Sequence, residues 1–583
     1  MHTVDWVIVA AYFVMSALVG VYFSKRAGKN SDEFFLSGRS LPWWLAGTSM
    51  VATTFAADTP LAVTEMVAKN GIAGNWMWWN FVFGGMLTTF FFARLWRRAE
   101  IMTDAEFSEL RYGGKPAAFL RGFRALYLGV FLNCIIIAWV NLAMASVLQG
   151  IFGLSPSAVK ITVFASLLLT AGYSALSGLW GVVVTDAIQF VLAMSGCIVL
   201  AVMVLKLPQV GGMAGLQAKL PEWVFRFTPV VNGSASSSAG GVLSMSAAAF
   251  FAFIGVQWWS AWYPGSEPGG GGYVAQRMMS TKDERHSVFS TLWFTIANYC
   301  IRPWPWIIVG LTTLVLYPDL AADQKRLGYV YAMRDYLPVG LKGLLVASFF
   351  AAYMSTISTQ VNWGSSYVIN DFYRRFVAKG ASEKKIVAVS RITTVVLALL
   401  SVYVMTQLDT ISDAWAFLME AGAGFGLVLI LRWFWWRINA WSEISAMLAS
   451  LVASGVLRAF TDIKFPISLY YVVGFSTVVW LAVTFLTSPE KDDVLISFYR
   501  RVRPGGMLWR RISTKIPDVK GDCDFGVMFV NWVSGVVLVY TFLFGIGDLI
   551  LAKYALASLM FVIGISCGFI IWHNLARYTA PAK

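Results

Sequence analysis

The stretch LKGLLVASFFAAYMSTISTQVNWGSSYVINDFYRR, Leu341 to Arg375, decides how the rest of the chain is read. It is apolar and longer than the roughly 20 residues a spanning helix needs, yet its centre carries Ser348, Ser355, Thr356, Ser358 and Thr359. At about 3.6 residues per turn, Ser348, Ala352, Ser355 and Thr359 share one helical face, with Thr356 and Ser358 at its edges. Hydroxyl oxygens are neutral, hard ligands. A stripe of them facing an opened backbone suits a small cation such as sodium without the penalty of a full buried charge. The competing reading is packing, since Ser and Thr are common between membrane helices.

Composition narrows the class. Of 583 residues, 58% are hydrophobic and 13% charged, with a mean hydropathy of +0.66. Soluble domains carry about 25% charged residues, so this is an all-α polytopic membrane protein. The net charge of +14 would suggest nucleic acid in a soluble chain, but here the basic residues sit in short loops between apolar runs, where they set topology. No nucleic-acid partner is expected. Cys134, Cys197, Cys300, Cys523 and Cys567 show no paired spacing and read as free thiols; His2, His286 and His573 form no ligand motif.

The apolar runs number about fifteen. The first, 4–24, is not read as a cleaved signal, because MHTVD lacks a basic start and Ser24-Lys25-Arg26 resembles a stop-transfer flank. Lys and Arg concentrate in alternate loops, which places the N-terminus outside and the C-terminus in the cytoplasm of a plasma (inner) membrane.

Two segments should break. In 41–68, Thr53 to Pro60 combines β-branched residues, an acid and a proline; in 242–276, Pro264, Gly265, Pro268 and the run Gly269 to Gly272 cannot continue a helix. Unwound backbone at membrane depth is tolerated only where it lines a cavity or binds a ligand. Interrupted helices at matching positions of two halves point to an inverted-repeat transporter. The expected layout is an extra helix and cytoplasmic loop over 1–40, a first repeat over 41–206, an extracellular loop over 207–241 and a second repeat over 242–437. Extra helices over 438–583, with a basic cytoplasmic loop at 488–524, complete it.

Several motifs lie in order on these segments. They are Phe34-Phe35-Leu36-Ser37-Gly38-Arg39, Tyr173 to Trp180 leading to Thr185-Asp186-Ala187-Ile188-Gln189, Gln276-Arg277, Ala351 to Thr359, Asn370-Asp371-Phe372-Tyr373 and Trp436-Arg437-Ile438-Asn439. With them the chain resembles the sodium/solute symporter family of the proline, sialic acid and sugar symporters, over residues 4–487. The resemblance implies a LeuT-type five-plus-five inverted repeat. It also implies a sodium ion held by the carbonyls of Ala52, Phe55 and Ala352 with the hydroxyls of Ser355 and Thr356. Some members hold a second sodium, at positions matching Asp186, Ser355, Ser358 and Thr359. Asp186 is in any case an intramembrane acid and so a functional candidate.

For the solute, the resemblance implies the space between the two broken helices, where Asp58, Thr59, Trp78, Asn80, Gln257, Trp258, Trp259, Arg302 and Glu420 are the candidates. Asp58 followed by Pro60 departs from the small residues of the sugar and proline members. If Asp58 and Arg302 both face an open cavity, they suit a charged or zwitterionic solute such as an amino acid or organic acid. If they pair with each other, the tryptophans and amides suit a sugar or sugar acid. No catalytic motif is present, so an enzyme is not expected. A channel would need a continuous lined pore, and a transporter-like membrane sensor usually carries an attached signalling domain, for which 488–524 is too short. The expected partners are sodium, a small solute and the bilayer, with the oligomeric state left open.

Overall fold

The computed structural model describes residues 1–231, 244–322, 324–408, 411–522 and 524–578; Cys523 and part of the 207–241 loop lie outside them. The described chain is helical apart from a two-residue pairing of Val230–Val231 with Ser244–Met245. Among the described residues, eleven helices are long and apolar enough to cross a membrane. The expected segments map onto α1 (Thr3–Ala27), α2 (Trp43–Thr54), α3 (Asp58–Asn70), α4 (Gly114–Phe152), α5 (Pro156–Leu205), α6 (Ala247–Ser260) and α7 (Gly272–Ser280). They continue with α8 (Glu284–Leu316), α9 (Leu341–Val377), α10 (Glu383–Met405), α11 (Ile411–Gly422) and α12 (Gly426–Phe434). Last come α13 (Ala440–Phe460), α14 (Ser468–Leu486), α15 (Phe525–Ile550) and α16 (Tyr554–Tyr578). Residues 76–79 form a single turn, and after a break at 80–81 the helix continues over 82–99 with a π-type turn at 88–92.

Helix α9, the hydroxyl-bearing stretch, is the centre of the bundle. Of its apolar window 94% is buried, against 22% for α1 and 17% for the last helix. It packs most extensively on α5 and also meets α1, α2, α4 and α10. Small and hydroxylated side chains permit that approach: Ser348 Oγ donates to Leu192 O on α5 at 2.9 Å, and Ser174 Oγ donates to Ser358 O at 3.1 Å. This part of the stripe is packing.

Helix α5 contains a break where two separate helices were expected. Gly178 has φ 55° and ψ −159°, and a Cβ there would lie 2.7 Å from Phe34 O. Only glycine fits both constraints.

Both expected interruptions are present. Between α2 and α3 only residues 55–57 are unwound, and Pro60 sits in the first turn of α3, where its missing N–H removes no helical bond. Between α6 and α7 the linker 261–271 is largely buried, not a surface loop. Gly265, Gly269 and Gly270 have φ between 77° and 82°, and a Cβ on Gly265 would meet Tyr273 Oη at 2.1 Å. A third interruption was not expected. The run Ala421-Gly422-Ala423-Gly424-Phe425-Gly426 separates α11 from α12. Gly422 O accepts Trp262 N of the α6–α7 linker at 3.0 Å, and a Cβ on Gly426 would lie 2.2 Å from Ser260 O.

At one end of the bundle a buried ionic cluster ties the loops to the helices. Arg124 pairs with Asp104 (3.3 Å) and Glu443 (3.0 Å), Arg432 pairs with Glu443 (3.3 Å), and Tyr112 donates to Glu443 at 2.6 Å. Every carboxylate in this cluster has a guanidinium, as burial requires.

Gly178→Ala should destabilise the protein by about 1–3 kcal/mol from backbone conformation alone. Gly172→Ala, on the same helix with nothing within 4 Å of its new Cβ, should leave stability unchanged or raise it slightly. Thermal unfolding of the two variants in detergent checks the contrast.

Candidate sodium and solute site

Helix α2 stops at Thr54 because Phe55 leaves helical geometry, with φ −98° and ψ 82°. The carbonyls of its last turn thereby lose the amides that would have closed on them. Two neighbouring hydroxyls of α9 stand opposite. Ser355 Oγ donates to Ala52 O and Thr356 Oγ1 donates to Thr53 O, both at 2.8 Å, and each also reaches Ala352 O at 3.3 Å. Three carbonyl and two hydroxyl oxygens thus gather between a broken helix and an unbroken one, all buried. The set is neutral and hard, which fits sodium, whose positive charge meets oxygen dipoles and no buried acid. Thr53 O joins the expected carbonyls of Ala52 and Ala352 at this point. Phe55 is the first residue past the helix, with its N–H donating to Val51 O and Ala52 O at 3.1 Å.

Two residues of the second expected set, Asp186 and Thr359, meet around an arginine. Arg277, at the end of α7, is fully buried, with Nη2 3.7 Å from Asp186 Oδ2 and 2.7 Å from Thr359 Oγ1. Its Nε donates to Ser49 Oγ at 3.2 Å, and Ser49 Oγ donates to Asp186 Oδ2 at 2.5 Å. Thr359 Oγ1 also lies 3.0 Å from Thr53 Oγ1. The guanidinium supplies the positive charge that Asp186 requires. Ser358 is turned elsewhere, donating to Ser355 O within its own helix at 3.1 Å.

Above the first cluster a cavity with about 90 Å³ of free space, room for a handful of waters, is lined by residues of the α2–α3 break, the α6–α7 linker, α4 and α8. Thr53 and Thr356 line it too, so the cavity and the five-oxygen cluster share residues. Asp58 and Arg302 both face it, buried at 4% and 3% exposure. They do not pair. Among the described residues no carboxylate forms an ion pair with Arg302; its Nη1 donates to Thr54 Oγ1 at 2.9 Å and its guanidinium lies 5.2 Å from the centre of the Trp306 ring. Asp58 accepts one long bond from Thr59 Oγ1, at 3.4 Å.

Of the expected solute residues, Asp58, Thr59, Trp78 and Arg302 line the cavity. The other five do not. Asn80 sits at the break at 80–81 and turns its amide back onto Trp76 O and Met77 O (2.9 and 3.0 Å). Gln257 donates to Met77 O at 3.2 Å. Trp258 packs at a tilt against Phe83 and Trp532, and Trp259 donates to Gly255 O on its own helix. Glu420 is held by Arg458 at 2.6 Å and Ser468 at 2.7 Å. In their place the linker and α8 bring Tyr263, Asn298 and Tyr299, and α9 brings Gln360. Gln360 lies one turn beyond Thr356, so continuing the hydroxyl face would have found it.

Ser355→Ala combined with Thr356→Ala removes two of the five oxygens. Sodium should stabilise the unaltered protein, by about 2.7 kcal/mol at a hundred times the Kd of this cluster, and the double variant should lose that contribution. A thermal-shift titration with sodium chloride against choline chloride measures both.

The profile of the sodium:solute symporter family matches residues 34–451. The chain is 26% identical to the sodium/mannose cotransporter SLC5A10 of Bos taurus, over 79% of this chain and 80% of that protein. It is 26% identical to the sodium/sialic acid symporter SiaT of Proteus mirabilis, over 82% of this chain and 93% of that one. A solved structure of a Na+-coupled sialic acid symporter in a substrate-bound, outward-open state superimposes with a TM-score of 0.66 at 22% identity, covering 84% of this chain and 99% of the other. That places the fold in the LeuT type, and with the family match over most of its length the chain belongs to the sodium:solute symporter family.

Proposed function

We propose that this protein couples sodium influx to uptake of a small charged or zwitterionic solute, such as an amino acid or organic acid, by alternating access. The observation that carries the reading is the pair Asp58 and Arg302, buried on one cavity and not joined to each other. Unpaired charges at this depth are expensive and call for a counter-charge from the cargo. Arg302 offers donors to a carboxylate, and Asp58 accepts from an ammonium.

Sodium held by Ala52, Thr53, Ala352, Ser355 and Thr356 pins the end of α2 against α9. The same turn of α2 positions Arg302 through Thr54, which is how ion and solute sense each other. The coupling is a difference in affinity between states and is reciprocal: solute tightens sodium by the factor by which sodium tightens solute. One sodium is transported per cycle in this reading, with Arg277 standing in the second position as a fixed cation. The repeats run over 41–206 and 242–437 in a chain of fifteen crossings, with the N-terminus outside and the C-terminus in the cytoplasm of the plasma membrane.

A second reading, a sugar or sugar-acid cargo, is favoured by the aromatic lining of Trp78, Trp139, Tyr263 and Trp415. The relatives' names point the same way, including mannose, glucose and sialic acid. A transporter-like sensor would bind solute and carry none.

The test is uptake into proteoliposomes under an inward sodium gradient across amino acids, carboxylates, sugars and sugar acids. Uptake of a charged solute, driven by sodium and not by potassium, is expected. Arg302→Gln should weaken an anionic solute by roughly 30-fold or more, as loss of a buried charge partner does, and should leave a neutral sugar little changed. Binding without uptake under any gradient would favour the sensor. Arg277→Gln should leave Asp186 without its counter-charge and admit a second sodium, read as an added equivalent of bound 22Na+.

A further inference from the structure

The α6–α7 linker carries a carboxylate that the transport reading leaves without a role. Glu267 is 3% exposed, and both of its carboxylate oxygens are buried without a hydrogen-bond partner. The amides of Gly265 and of Glu267 itself face it without reaching hydrogen-bond geometry. Among the described residues no ion pair reaches it.

A second acid lies beside it. A Cβ built on Gly271 would stand 3.4 Å from Asp104 Oδ2 and 3.4 Å from Glu267 Cγ, so the two side chains crowd one glycine. Asp104 Oδ1 is also buried and unpartnered, while its Oδ2 accepts from Gly272 N and Arg124 Nη2, both at 3.3 Å. Arg124 is shared with Glu443, and among the described residues no guanidinium or ammonium forms an ion pair with Glu267 itself. The remaining titratable group facing Glu267 is the Tyr273 phenol. The elements packed around it present Thr88, Thr291 and Trp363, all neutral. A space of about 10 Å³ opens on Glu267 between Thr88, Ser266 and Thr291, enough for one water or a bare ion.

We propose that Glu267, with Asp104, forms a cation site distinct from the Ser355–Thr356 cluster, taking one monovalent cation, either a proton or an alkali ion. A carboxylate in this setting has no cationic side chain to offset its desolvation, and a monocation supplies the missing charge. The position gives occupancy a route to transport. Ser266 and Pro264 line the solute cavity, and a Cβ on Gly265 would lie 2.7 Å from Thr54 Cγ2, on the residue that holds Arg302. The inference rests on linker geometry and not on the solute reading, so it is tested with no solute present.

The experiment compares purified full-length protein with Glu267→Gln in lipid nanodiscs, measuring equilibrium 22Na+ binding and, in choline buffer, protons taken up across an acid–base titration. Loss of one bound sodium in the variant supports the alkali ion. Equal sodium but one fewer titrating proton supports the proton. A variant that folds and matches the parent in both measurements overturns the proposal. Should the variant not fold, carbodiimide labelling of the unaltered protein, mapped by mass spectrometry, reads the same carboxyl. Labelling of Glu267 slowed by sodium or by alkaline pH supports the site, and labelling indifferent to both overturns it. Loss of sodium binding in the Ser355→Ala, Thr356→Ala variant with Glu267 unaffected separates this site from the cluster.

Discussion

Everything at the centre of this protein depends on backbone carbonyls that a broken helix cannot satisfy by itself. Where α2 ends at Thr54, Thr53 O is left without a helical amide and Ala52 O keeps only a share of the Phe55 N–H, and the hydroxyls of Thr356 and Ser355 complete them across the helix interface. In a membrane interior an unsatisfied carbonyl is disfavoured by several kcal/mol, so the break and the hydroxyl stripe require each other. The same arrangement makes the contact exchangeable. A hydroxyl that donates to a carbonyl can rotate and offer its lone pair to a cation beside that carbonyl, so binding replaces one set of polar contacts with another.

The three interruptions converge, which a single helix break would not achieve. Trp262 of the α6–α7 linker donates its N–H to Gly422 at the α11–α12 break, and Gly265 packs on Thr54 at the α2–α3 break. Each opened segment completes the hydrogen bonding or packing of another. A shift at one is therefore felt by the others, and the solute cavity lies among them. Two arginines serve this centre differently. Arg277 neutralises Asp186 and cross-links α2, α5 and α9, while Arg302 faces the cavity with no carboxylate of its own.

Much of the architecture was legible from residue order because the signals were local. Proline 60, the Gly269–Gly272 run and the hydroxyls between 348 and 359 each state a backbone or side-chain property that holds in any context. The solute residues were read less well. Asn80, Gln257, Trp258, Trp259 and Glu420 lie on the right segments yet point elsewhere, because each finds a nearer partner: a backbone carbonyl, a tilted ring or an arginine. The Gly422–Gly426 interruption has a glycine signal of its own, but only the close approach of Ser260 and Trp262 shows why small residues are needed there.

The sequence by itself determined that the chain crosses a membrane many times, that two helices break at matching positions, and that hydroxyls line the helix facing one of them. These follow from hydropathy, from proline and glycine chemistry, and from helical periodicity, which act over a few residues. The tertiary structure decided which charges meet. It put Arg277 against Asp186, kept Asp58 apart from Arg302, and left Glu267 buried beside Asp104 with no counter-ion of its own. Those outcomes rest on contacts between residues far apart in the chain, where a shift of one helical turn exchanges a partner for a void.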